Sequence, residues 1–95
     1  MCQDLGNNRY QCNGTCVNGS IWGTGLYTSD TNPYTAAKHM GITPCKFYKV
    51  MVPGCSAYIG TTMNGITSSS YGNYGGSYFL VKEKEEVNNT IQNID

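Results

Sequence analysis

The sequence predicts a single small domain in which one short helix forms a central peg wrapped by β-strands. Three observations predict it. One stretch, Tyr27 to Thr43, carries a complete helix signal. The remaining apolar residues fall in short β-forming runs separated by glycine, asparagine and serine. Five cysteines in 95 residues supply staples for a chain too short to hold a large core.

In the helix, Asn32 suits the N-cap, because its side-chain oxygen can accept an orphan amide proton of the first turn. Pro33 suits the next position, where its fixed φ is helical and its missing N–H costs nothing. Gly41 suits the stop, since it takes the left-handed conformation without a Cβ clash. Two turns or so are too few to stand alone in water, so the helix must be packed. Pro33, Ala36, Ala37 and Met40 share one face, with His39 at its edge and Lys38 opposite. Two inward alanines let neighbouring backbone come close.

Residues 1–20, a cysteine-containing N-terminal segment, are rich in turn chemistry at Gly6-Asn7-Asn8, Asn13-Gly14 and Asn18-Gly19. Cys2 with Cys12 is the natural local bridge there, closing a short loop. The core of the domain is expected over residues 21–82. Ile21 to Thr28 reads as a short strand whose glycines allow a kink, and Trp22, the one tryptophan, reads as a structural core anchor. Lys46 to Val52 is the clearest strand, with Tyr48, Val50 and Val52 on one face and Phe47, Lys49 and Met51 on the other. Pro53-Gly54 turns the chain. Ser56 to Gly60 reads as a second strand, Asn64-Gly65 as a tight structural turn, and Tyr78 to Lys82 as the last strand. Residues 83–95 form a polar C-terminal tail without a core-forming pattern.

The net charge is zero, so there is no electrostatic footprint for nucleic acid or an anionic membrane. Half of the charged residues lie in the last fourteen positions; up to Val81 only Arg9, Lys38, Lys46 and Lys49 stand against Asp4 and Asp30. A surface so poor in charge must be made of hydroxyls, amides and some of the eight tyrosines. That suits a glycan-covered secreted protein or a subunit packed into a larger assembly. Asn13, Asn18 and Asn88 head N-glycosylation sequons. The cysteines point to an oxidising compartment. No secretory signal follows Met1 and no apolar run is long enough to span a bilayer, so the expectation is either a removed targeting segment or another route to an oxidising space. The equal spacing of Cys2 to Cys12 and of Cys45 to Cys55 resembles twin-cysteine proteins of the mitochondrial intermembrane space. Those place each pair on a helix, which the intervening residues here do not favour.

Candidate chemistry is sparse. His39 is the only histidine and reads as a hydrogen-bonded structural residue; nucleophilic hydrolysis would need a base oriented by an acid, and Asp4 and Asp30 are the only acids before the tail. Cys12, Cys16, Cys45 and Cys55 are the four thiols of a conceivable zinc site, but the second pair is too widely spaced for a knuckle. No catalytic residue, metal site or cofactor is expected. Tyr58, Tyr71, Tyr74 and Tyr78, interleaved with glycine and asparagine, form the candidate interaction surface, since tyrosine joins apolar area to a hydroxyl at little entropic cost.

Trp22-Gly-Thr-Gly-Leu-Tyr-Thr-Ser-Asp30, Ala36-Ala-Lys-His39-Met-Gly-Ile42, Val50-Met-Val-Pro-Gly54, Tyr58-Ile-Gly60, Asn64-Gly-Ile-Thr-Ser-Ser-Ser-Tyr-Gly72 and Ser77-Tyr-Phe79 together resemble the LCCL domain, the module named after Factor C, cochlin and a lung secreted protein. Order and spacing hold from Cys12 through about Lys82. The resemblance implies an α+β fold with a short central helix wrapped by antiparallel or mixed sheets and stapled by disulfides. It also implies an extracellular setting in adhesion, matrix or innate defence, and no enzymatic activity. Many members pair their first cysteine with the second and the third with the fourth. Cys2, Cys12 and Cys16 match the first three; the fourth position, at the start of the helix, is held here by Tyr34 or a neighbour. Cys45 and Cys55 are extra. An extended Lys46–Val52 holds them ~20 Å apart, too far to bond each other. The expectation is therefore a replacement bridge, Cys16–Cys55, with Cys45 free or bonded to another chain. The functional expectation is a non-enzymatic binding or structural module that presents a rigid surface to a protein, glycan or lipid. The alternative is an accessory subunit of a large organellar or filamentous assembly.

Overall fold

The computed structural model describes residues 2–12, 19–42 and 45–83, with the side chain of Cys45 outside the description. The sequons at Asn13, Asn18 and Asn88, the Cys16 position and residues 84–95 of the tail lie outside the described residues. Among the described residues eight strands and one helix follow in the order β1 (Cys2–Gly6), β2 (Arg9–Cys12), β3 (Gly23–Thr24), β4 (Leu26–Thr28), α1 (Pro33–Met40), β5 (Cys45–Pro53), β6 (Thr62–Met63), β7 (Ile66–Thr67) and β8 (Gly76–Lys82). Six strands form one sheet in the order β1-β2-β5-β8-β4-β3, every neighbouring pair antiparallel. β6 and β7 make a separate hairpin. The domain is thus mostly antiparallel sheet with one short helix, an α+β arrangement.

α1 begins and ends on the residues whose chemistry demands it. The Asn32 side chain accepts the Thr35 amide at 2.9 Å and the Thr35 hydroxyl at 3.1 Å. At the other end Gly41 has φ 77°; its amide donates to the Lys38 carbonyl and that of Ile42 to the Ala37 carbonyl, both at 3.0 Å. This double closure is the Schellman arrangement. The buried side chains are Thr35, Ala36, Ala37 and His39, whereas Met40 is 39% exposed. The inward face is therefore rotated from the expected Pro33–Ala36–Ala37–Met40 stripe. His39 moves from the edge to the interior.

The helix is held between the large sheet and the β6–β7 hairpin rather than enclosed by strands. Each alanine seats a different cluster. Ala37 packs with Tyr10, Cys12 and Phe47, flanked by Tyr34 and Ile42; Ala36 packs with Ile21, Tyr27 and Tyr78, flanked by Ile66. Leu80 touches both. Tyr10 and Phe47 stack at 5.6 Å, with Tyr34 edge-on to Tyr10 at 5.5 Å. Tyr34, in place of a helix-start cysteine, thus fills space with an aromatic ring.

Three local expectations change. Ile21–Thr28 is not one strand: Gly25, at φ 78°, folds it into the β3–β4 hairpin. Ser56–Gly60 is not a strand either, since only Tyr58 pairs there, in an isolated bridge with Tyr71. The last strand starts two residues earlier than Tyr78, at Gly76, because β5 pairs with it through Pro53. The N-terminal segment does more than turn: Asn7 and Asn8, both at positive φ, close a tight hairpin whose second strand buries Tyr10 and Cys12.

The register also places the cysteines. Cys2 lies opposite Cys12, and Cys12 opposite Cys45, in one row across β1, β2 and β5. Cys55 lies past the far end of β5, and nine strand residues separate the two ends by roughly 26 Å. The Cys55 carbonyl accepts the Tyr74 amide, so the chain continues forward there instead of doubling back. The Cys55 thiol is free. The expected Cys16–Cys55 bridge involves a residue outside the described ones, and β5 carries Cys55 away from the end of the sheet that holds Cys2 and Cys12. Cys12 and Cys55 likewise lie at opposite ends of β5.

Candidate functional site

His39 is the most buried polar side chain by size after the tyrosines and phenylalanine of the core, and both ring nitrogens are engaged. Nε2 lies 3.1 Å from the Thr61 carbonyl, which can only accept, so Nε2 carries the proton. Nδ1, 2.8 Å from the Tyr27 hydroxyl, then accepts from it. The histidine ties α1 to β4 on one side and to the approach of β6 on the other. Burial pushes the Tyr27 phenol up to about 12, offset slightly by the Gly25 backbone hydrogen bond. Nothing in this arrangement gives His39 access to a substrate.

The four tyrosines expected on one surface divide. Tyr78 is fully buried, its hydroxyl donating to the Thr31 carbonyl at 2.7 Å. Tyr58 is also buried; its hydroxyl accepts the Cys55 amide at 3.0 Å and shares a 2.6 Å bond with Ser77. Both are scaffold, which corrects their placement on an interaction surface. The reason is the pleat: Tyr78 points from β8 to the helix side, and Ser77, on the opposite face, anchors Tyr58 and with it the loop after β5. The loop passes so close that a Cβ on Gly54 would collide with the Tyr74 carbonyl oxygen.

Tyr71 and Tyr74 remain outside. Tyr71 is 47% exposed, Tyr74 is half-buried, and their rings meet edge to face at 5.7 Å with an interplanar angle of 76°. With Trp22, Thr28 and Asp30 they line a cavity of about 130 Å³. Trp22 is half-buried, so it is a wall of this cavity and not the core anchor expected. Its backbone is pinned: its amide donates to the Thr31 hydroxyl at 3.0 Å and its carbonyl accepts the Thr28 amide at 3.2 Å. Asp30 is exposed yet oriented. It accepts the Thr28 hydroxyl at 2.7 Å, and desolvation together with the neighbouring Asp30 carboxylate raises the Tyr74 phenol above its ordinary value. Among the described residues Asp30 makes no ion pair.

Trp22, Thr28 and Asp30 were not expected at a site. The signal available was that Asp30 is one of two acids in the folded part, eight residues from the one tryptophan; the β3–β4 hairpin that brings them together is what the sequence concealed. Among the described residues no helix is long and apolar enough to cross a membrane.

The LCCL domain family model matches residues 2–78, which takes in every strand up to the start of β8, the helix and the whole cavity. A search of curated proteins returns no match. LCCL domains are non-catalytic binding or structural modules of secreted and extracellular proteins. The chain belongs to the LCCL domain family.

Proposed function

We propose that this LCCL domain is an extracellular recognition module that takes its ligand in the cavity between Trp22, Asp30, Tyr71 and Tyr74. One observation carries the reading. In a domain whose other large aromatics are mostly packed inside, two tyrosines and the tryptophan leave ring surface open around a single oriented carboxylate. Aromatic walls with a few placed polar groups are what small recognition sites are made of. The cavity sits on a stiff base, because Thr28 is in β4, Ser77 and Tyr58 lock the loop beneath it, and Tyr71 is bridged to Tyr58 through backbone bonds of 2.7 and 3.0 Å. Little ordering should be needed on binding, which favours affinity for a small group. The five cysteines and the sequons support a secretory setting for that role, and the ligand group would be displayed on a glycan, lipid or protein.

The test is a nitrogen-15 NMR titration of the full chain with a panel of sugars, lipid headgroups and peptides. Amide shifts are expected to cluster at residues 22, 28–30 and 71–74 for any ligand that binds, and to saturate only at several-fold higher ligand concentration in Tyr71→Ala. Saturable shifts confined to another face would overturn the assignment of the site.

A further inference from the structure

Resting on that reading of the cavity, we propose that its ligand is a quaternary ammonium head of the choline type, held by the rings of Trp22, Tyr71 and Tyr74 and by the Asp30 carboxylate. The ring arrangement is the first argument. Tyr71 and Tyr74 stand nearly perpendicular, so with Trp22 they form walls on several sides and not one flat platform. A sugar ring stacks best on one broad face. A rounded cation is attracted by the negative face of each ring it touches, and several walls serve it better than one.

Charge is the second argument. Asp30 is the only charged residue lining the cavity, and no cation among the described residues neutralises it. The Thr28 hydroxyl already donates to it at 2.7 Å. A sugar would find few free donors there, whereas a cation that donates no hydrogen bonds needs none. Size is the third. About 130 Å³ is well below the ~300 Å³ at which sites for drug-sized ligands begin, and a methylated ammonium head is a small group. Choline is favoured over methylated lysine because the family works outside the cell, where choline is displayed on phospholipid headgroups and also occurs as a free cation.

The experiment is a calorimetric and NMR titration of the full chain with choline, with its neutral carbon isostere 3,3-dimethylbutan-1-ol, with a trimethyl-lysine peptide and with methyl β-glucoside. Choline is expected to bind at least about tenfold tighter than the isostere, because only the cation gains from the rings and the carboxylate. Added salt should weaken it, since Asp30 is exposed and screened. Asp30→Asn keeps the acceptor for Thr28 and should lose about tenfold for choline with no change for the isostere. Tyr71→Ala, at an exposed ring, should lose at least about fivefold, and the NMR spectrum of each variant reports whether it is folded. Sedimentation with phosphatidylcholine vesicles, displaced by free choline, would assign the lipid headgroup as the source; choline binding without vesicle binding would assign the free cation. Equal affinity for choline and the isostere overturns the proposal, as does a trimethyl-lysine peptide binding more than tenfold tighter than choline. Glucoside binding in the cavity without choline binding overturns the cation and leaves the recognition site standing. No binding of any ligand overturns both.

Discussion

At the scale of single residues, the interior is held by polar groups that have found partners. Among the described residues no buried side-chain nitrogen or oxygen lacks one, although Thr28, Thr31, Thr35, His39, Ser68 and Ser77 are all buried. This suits a core built on tyrosine, because a phenol brings ring area and one hydroxyl that must be satisfied. Tyr27 donates to His39 and Tyr78 to the Thr31 carbonyl, so both hydroxyls are used as neutral donors. Removing either proton would bury a phenolate. Burial raises Tyr27 from 10.0 to about 12 and Tyr78 further still. In the unfolded chain the same groups lose their protons near pH 10. Above that pH the folded state holds more protons than the unfolded one, so stability falls as pH rises. The stabilisation tied to Tyr27 is complete below about pH 10 and is lost as pH climbs from 10 through 12. Urea midpoints measured across pH 8 to 12 are expected to drop steeply over the last two units, and a phenolate absorbance titration should show two tyrosines ionising only as the fold is lost. A midpoint flat to pH 12 would mean that Tyr27 and Tyr78 are not buried as neutral donors. The sequence did not distinguish Tyr58 and Tyr78, which the fold buries, from Tyr71 and Tyr74, since all four sit within two residues of a glycine or serine. Their fates are decided by which face of β8 a residue points to and by which loop packs across it.

At the scale of elements, what was legible is what local chemistry dictates. The caps of α1 and the long alternating strand β5 follow from residues within a few positions of one another. The strand expected at Ser56–Gly60 failed because its hydrogen bonds go elsewhere: the Gly60 amide donates to the Ser70 hydroxyl and that of Thr61 to the Ser68 hydroxyl. Side chains thus take the place of a ladder. The β6–β7 hairpin shows one residue doing two jobs. Asn64 at φ 52° and Gly65 at φ 78° form the two-residue turn, and the Asn64 side-chain amide donates to the His39 carbonyl at 2.9 Å, satisfying one of the orphan acceptors at the end of α1. Two substitutions separate the jobs. Asn64→Gly keeps the turn and removes the bond, and should cost about 1 kcal/mol. Asn64→Ala removes the bond and also forces a Cβ residue into positive φ, and should cost about 2 kcal/mol. Both are read from urea denaturation. Equal losses in the two variants would show that the turn conformation is not what Asn64 supplies.

At the scale of the whole molecule, the sheet order β1-β2-β5-β8-β4-β3 decides features that no stretch of sequence carries. It joins residues far apart in the chain: Arg9 in β2 reaches across to Glu83 beyond β8, with its Nε donating at 2.7 Å and its second guanidinium nitrogen at 3.1 Å. It also sorts the cysteines. Spacing alone showed that Cys45 and Cys55 are too far apart along an extended strand to bond. It could not show that Cys45 is the end that comes back beside Cys12, because that depends on β2 adding to β5 at the Cys45 end. The result is a row of Cys2, Cys12 and Cys45 at one end of the sheet and a solitary half-buried thiol, Cys55, at the other. A topology-level prediction follows from this separation. In the folded, unreduced protein Cys55 should react with a maleimide, slowly compared with the unfolded chain because it is half-buried and its amide is tied to Tyr58. A non-reduced digest should then contain the labelled Cys55 peptide as a linear fragment, with any cross-linked peptides drawn from the other end of the sheet. A Cys55 peptide disulfide-linked to Cys12 would require bridging about a strand length of β5. It would therefore overturn the register of β2 on β5, and with it the path that carries the loop back to close the cavity around Tyr71 and Tyr74.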